Sequence, residues 1–255
     1  NMYRQLAGGV TCAQLLHGSA NPIGGQSAII KFRWGSLPTE LLYEGATPFI
    51  KFALGENVKQ SNWGDAQKVR FPQSRMGVEQ VFYDLFIRAR EYGESFISYR
   101  HELANTKKRD LKAGLGPVEP RRDLELDVLL QILQEERFVT CHSYRQDEIN
   151  MLMHVADSMN FRLNTFTHIL EGYKVADKMK EHGAGGSTFS DWWAYKYEVK
   201  DAIPYNAAVL HGQGITTAIN SDDAEMARRL NQEAAKSVKY GGVSEEEALK
   251  FVTLN

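Results

Sequence analysis

Residues Arg137 to Ile169 read RFVTCHSYRQDEINMLMHVADSMNFRLNTFTHI. The first part, Arg137 to Tyr144, is a short apolar run of the kind that forms a strand buried on both faces. Arg145 to Asn160 has apolar residues at helical spacing and begins directly after that run. Asn160 to Ile169 is a second apolar run. A strand, a helix and another strand with short links predict a parallel pair joined by a crossover. Each strand ends on a histidine, His142 after FVTC and His168 after NTFT.

The same alternation extends outward. Strands are expected at Gly9–Leu16, Ser27–Trp34, Pro48–Leu54 and Thr216–Asp223, giving six with the central pair. Helices are expected over the long segment from Arg75, over Asp123–Glu136, over the stretch from Ser221 to the Gly241-Gly242 pair, and after Ser244, where Glu247 completes a capping-box pattern. The stretch NTKKRDLKAGLGPVEPRR, residues 105–122, is a basic, Gly/Pro-punctuated surface loop. NAAVL before His211 is a candidate seventh strand or the helix leading to it. The expected fold is a TIM-like (β/α)8 barrel in one domain over residues 1–255. It is expected to be incomplete at both ends, because the chain begins and stops abruptly.

Composition narrows the function. The chain has 255 residues, 43% hydrophobic and 24% charged, with a formal net charge of -2. No concentrated basic block is present, so nucleic acid is not an expected partner. No apolar run approaches the roughly 20 residues that span a bilayer, so no membrane partner is expected. Cys12 and Cys141 lie in apolar runs as small core residues and make no disulfide framework. They suit cytoplasm or periplasm equally, and an export signal would lie N-terminal to this chain.

Asp222, after TAINS, is the third polar residue that closes an apolar run. A barrel aims strand-end side chains at one mouth. Two imidazoles and a carboxylate there can hold zinc or a similar divalent ion. His17 sits beside GSANPIGG near the expected mouth, where it serves substrate or structure. Arg70 and Arg75 are candidates to grip a substrate carboxylate in a bidentate fork. His101 and His154 fall in helices and are expected to be structural; His182 and His211 fall in loops. The aromatic stretch Asp191–Asn206 packs the core or forms a wall over the strand ends, and SNWGDAQKVRFPQSR, residues 61–75, leaves the same alternatives. Glu56 and Asp222 could instead form a glycosidase-like carboxylate pair without metal.

The segments GGVTCAQLLHGSANPIGGQSAIIKFRWG, FIKFALGENVK, VTCHSY, FTHILEGYK and the closing INSDDAEMARRLNQEAAKSVKYGGVSEEEALKFVTLN resemble, in order, the imidazolonepropionase- and prolidase-like amidohydrolases. The resemblance covers nearly the whole chain, and its closing stretch is the most specific part. It implies a metal-dependent hydrolase cleaving an amide-type C–N bond in a small cyclic amide or dipeptide-like substrate. One or two divalent ions, zinc first, are implied as cofactor. His142 and His168 would bind metal, and Asp222 would bind metal and handle the proton of the attacking water. A further ligand would be Lys51, if carbamylated, or Glu56. The family's His-X-His pair, expected N-terminal to Gly8, has no counterpart in this chain. That departure keeps a second function open, a non-catalytic barrel module of a larger protein. The long helix from Arg75 is expected to pack on the barrel and, in part, to face another subunit of a homo-oligomer.

Overall fold

The computed structural model describes residues 2–59 and 70–255. Among them, seven strands form one curled sheet in chain order: β1 (Cys12–Leu15), β2 (Ile23–Lys31), β3 (Phe49–Ala53), β4 (Phe138–His142), β5 (Leu163–Thr167), β6 (Gly185–Thr188) and β7 (Thr217–Ile219). From β3 to β7 every pairing is parallel. β2 is antiparallel to both of its neighbours. The fold is mixed α/β, a curled half-barrel sheet consistent with an incomplete TIM-like barrel.

Two expectations are corrected by this topology. The run Ser27–Trp34 does not follow a crossover. Only residues 16–22 separate β1 from β2, too few for a return path to a parallel strand, so the chain turns back on itself. As a result β2 begins earlier than expected, inside the glycine-rich stretch. β6 was absent from the expected strands, because GGST carries no apolar run. NAAVL is helical, within Asn206–Gly212.

Most helices follow their sequence patterns, but the one expected from Ser221 begins only at Leu230, after a 3-10 turn at Ala227–Arg229. The helices are α1 (Met2–Ala7), α2 (Pro38–Leu41), α3 (Glu56–Lys59), α4 (Arg75–Asn105), α5 (Lys108–Lys112), α6 (Leu124–Leu133), α7 (Gln146–Met159), α8 (Ala176–His182), α9 (Asn206–Gly212), α10 (Leu230–Gly241) and α11 (Glu245–Lys250). Asp123 caps α6, accepting hydrogen bonds from the backbone N–H groups of Glu125 and Leu126 at 2.9 and 3.1 Å. Ser244 caps α11 through the N–H of Glu247. α7 ends on Asn160 in the left-handed region, φ 59°, a conformation asparagine tolerates better than most residues. α5 interrupts the expected loop at 105–122. His182 closes α8 and His211 lies in α9, so neither is in a loop.

The main core lies between the sheet and helices α4, α6 and α7. α4 buries Val78, Phe82, Phe86, Ala89 and Gly93, spaced three or four apart along one face. Phe86 stacks on Phe161 at 4.2 Å, and Phe52 of β3 meets Phe82 at 5.3 Å. Cys141 is buried as expected, but Cys12 is exposed at the sheet edge. At the other edge, the N–H of Ile219 donates to the Phe251 carbonyl at 2.9 Å, so the C-terminal turn covers β7. α1 reaches from the β1 side to the segment after β7, where Gln5 donates to the Ala224 carbonyl.

Candidate active site

Because β4 and β5 are parallel and stay in step from Thr140 and Thr165 onward, their last residues emerge at the same end of the sheet, with His142 paired to Thr167 and His168 next in the chain. The two imidazoles lie edge to face, with centroids 4.9 Å apart, and both are buried. They open on a cavity of about 1090 Å³ that runs through the sheet's concave side. Lys51, Tyr144, Asn220 and Asp222 line that cavity as well. His17 lines it from the loop after β1.

Burial, assisted by His168 and by the Lys51 and Lys196 ammonium groups, pulls the His142 imidazolium well below its ordinary range. The same forces bring His168 down to about 4, although Asp222 pulls the other way. Both rings are therefore neutral near pH 7, the protonation state in which imidazole binds a metal. The Lys51 ammonium is lowered by burial and raised by Asp222. Its Nζ donates to the His17 carbonyl at 2.6 Å.

The polar neighbours of the two rings differ. His142 Nδ1 is buried with no hydrogen-bond partner, whereas Asn57 Nδ2 lies 3.5 Å from its Nε2. Asn220 Nδ2 lies 2.8 Å from His168 Nδ1, and the amide oxygen accepts from the Ser187 hydroxyl at 2.7 Å. A hydroxyl can accept as readily as it donates. The Asn220 amide can thus turn its oxygen to His168 Nδ1–H, which leaves Nε2 as the free lone pair. One orphaned nitrogen on His142 and one available nitrogen on His168 fit a divalent cation by donor chemistry. Among the described residues, however, no three His, Cys, Asp or Glu side chains converge as a ligand group.

The other sequence candidates lie elsewhere. Glu56 opens α3, does not line the cavity, and is held by Lys59 and Arg75, each at 3.1 Å. Arg75 joins a buried junction, pairing with Glu148 of α7 and lying 3.6 Å from Glu198. Arg70 ties down the loop after β1, donating to the Asn21 side chain at 2.7 Å and to the Ala20 carbonyl. His17 is clasped between backbone groups, with Nδ1 2.8 Å from the Gly18 carbonyl. A Cβ on Gly24 would overlap its ring, so the ring holds this position only against a glycine. Of 61–75, only residues 70–75 fall among the described residues.

Sequence reasoning missed Asn57, Asn220 and Tyr144. Asn220 lies two residues before Asp222, and its signal was an amide, not a charge, at the end of a strand. Phe189, just before the aromatic stretch, stacks on His168 at 4.9 Å, and Trp192 of the stretch packs behind it on Phe189 at 4.7 Å. Lys196 sits 4.1 Å over the Tyr144 ring and pairs with Glu198 at 3.0 Å.

No protein-family model matches the chain. Amidohydrolase tasK from Hapsidospora irregularis is 28% identical over 251 residues, 92% of this chain and 25% of that protein. The crystal structure of an amidohydrolase from Thermotoga maritima MSB8 superimposes with a TM-score of 0.80 at 28% identity, covering 99% of this chain and 61% of that one. The chain thus spans about a quarter of the curated relative and under two thirds of the solved one. Both relatives are amidohydrolases, and the likeness runs along nearly all of this chain.

Proposed function

We propose that this chain is the greater part of the catalytic domain of a metal-dependent hydrolase acting on amide-type C–N bonds, of the imidazolonepropionase- and prolidase-like kind. The supporting observation is the neutral, buried pair His142 and His168, opening on one cavity with Asp222 and Lys51. In this reading the two histidines would hold a divalent ion, zinc first. Bound there, the ion supplies Lewis acidity toward a carbonyl oxygen and toward water. Asp222 takes the proton of the attacking water and returns it to the leaving nitrogen. The cavity walls hold a small cyclic amide or dipeptide-like substrate. Lys51, as an ammonium, serves substrate rather than metal; as a carbamate it would be a further ligand, an alternative to Glu56.

A second reading is favoured by one observation: no third ligating side chain joins the histidine pair among the described residues. On that reading the chain is a non-catalytic module of a larger protein. Elemental analysis of the gently purified protein decides between them. About one or two equivalents of zinc, lost in a His142→Ala/His168→Ala double variant, support the hydrolase. A well-folded protein without metal, even after dialysis against zinc, supports the module.

A further inference from the structure

α4 is 31 residues long, about 46 Å at 1.5 Å per residue. Its core-facing residues end at Gly93. From Glu94 to Asn105 no side chain is buried, so the last third of the helix overhangs the core that holds the rest. Helices in proteins owe most of their stability to packing of an apolar face, and this end lacks such packing. Ile97 stands 62% exposed in the middle of it. Beside Ile97 lies a hollow of about 1000 Å³, with Tyr92, Phe96, Leu130, Leu133 and Met159 among its walls. Leu115, 74% exposed on the connection after α5, shares a smaller surface hollow with His101 and Asn105.

The charges around Ile97 identify what covers this surface. Glu94 and Arg100 lie three residues before and three after it, and both line the same hollow. Neither makes an ion pair among the described residues; Arg100 Nε donates only to the Phe96 carbonyl of its own helix. A two-fold axis through Ile97 with antiparallel helices sets residue 97−n of one copy against 97+n of the other. Each Glu94 then faces an Arg100, twice over, and the two Ile97 side chains meet on the axis. A closed two-fold interface requires such self-complementarity. We propose that α4 pairs antiparallel with α4 of a second copy, centred on Ile97, making the protein a homodimer.

Sedimentation velocity and light scattering on the protein over a range of concentrations test this. The wild type is expected to run at twice the chain mass at micromolar concentration. Ile97→Asp, Glu94→Arg and Arg100→Glu each raise the dissociation constant by about tenfold or more. The charge-swapped double variant Glu94→Arg/Arg100→Glu restores the dimer, because the reversed charges again face each other. All three positions are exposed or flank the helix surface, so an unchanged circular dichroism spectrum and thermal midpoint certify the fold. A monomeric wild type at about 100 μM overturns the proposal. So does a dimer indifferent to the three single variants, or a double variant as weak as its parents.

Discussion

Burial and the nearby ammonium groups hold the folded-state His168 imidazolium down to about 4, against an ordinary value near 6.5. An unfolded chain therefore binds a proton at pH values where the folded chain does not. That difference gives stability that is complete above 6.5 and is lost as the pH falls through 6.5 toward 4, worth up to about 3 kcal/mol. His142, also depressed, acts in the same direction. Urea unfolding of the metal-free protein should show this loss, and a His168→Asn variant should flatten it; an equally steep profile in the variant would sink the assignment. Asn220 should act on metal binding through His168. Asn220→Ala frees the ring to rotate and should weaken zinc binding about tenfold, read by competition with a chromophoric chelator. The histidines were legible because each ends an apolar run, and a strand end has one direction to point. Asn220 was not legible, because its partner comes from another strand and nothing in AINSDD distinguishes an orienting amide from a turn residue.

Between elements, the most concentrated electrostatics lie outside the cavity. Arg75 at the start of α4 pairs with Glu148 of α7 and Glu56 of α3, and faces Glu198 of the aromatic segment. Glu198 also accepts the backbone N–H of Glu56 at 2.9 Å, over Gly55 at φ 86°. A side chain on Gly55 would collide with that carboxylate. Burial raises the Glu148 carboxyl while Arg75 pulls it back, so Glu148 depends on the guanidinium for its charge. Arg75→Met should cost about 3 kcal/mol in chemical denaturation by leaving that carboxylate buried and unpaired. Arg75→Met/Glu148→Gln should recover most of the loss, and failure to recover it would show that the guanidinium acts by some route other than Glu148. This junction was hidden in the sequence, since Arg75, Glu148 and Glu198 are far apart in the chain and each reads as an ordinary surface charge. The same limit explains the strands. β4 and β5 declared themselves by apolar runs, whereas β6 is built from Gly185, Gly186, Ser187 and Thr188. Gly186 is small because Ile169 and Leu210 press against it, a demand set by neighbours and not by local propensity.

Across the whole molecule, the sheet is a curved wall whose two edge strands are unlike. β7 is covered by the C-terminal turn, and β1 leaves Cys12 exposed. The shared cavity is lined from both edges, by Ala13 and Gln14 on β1 and by Ala218 and Asn220 at β7, with His142 and His168 between them. The parallel half of the wall was readable from strand–helix alternation. Its antiparallel start was not, because reversal depends on the length of a link and not on the composition of the strand. A ligand held by His142 and His168 joins β4 to β5 at the mouth, and Asp222 would extend that connection to the end of β7. Binding confined to the folded state then stabilises the entire sheet. At a free zinc concentration one hundred times the dissociation constant the gain is about 2.7 kcal/mol, a rise in thermal midpoint of roughly 5–10 °C for a domain of this size. Chelation should reverse the rise, and the His142→Ala/His168→Ala variant should show none. Asp222→Asn separates two roles. If the carboxylate is a ligand, its loss removes much of the thermal shift; if it only carries a proton, the shift persists while turnover is lost. A thermal midpoint indifferent to zinc in the wild type would remove metal binding, and the hydrolase reading with it, from this chain.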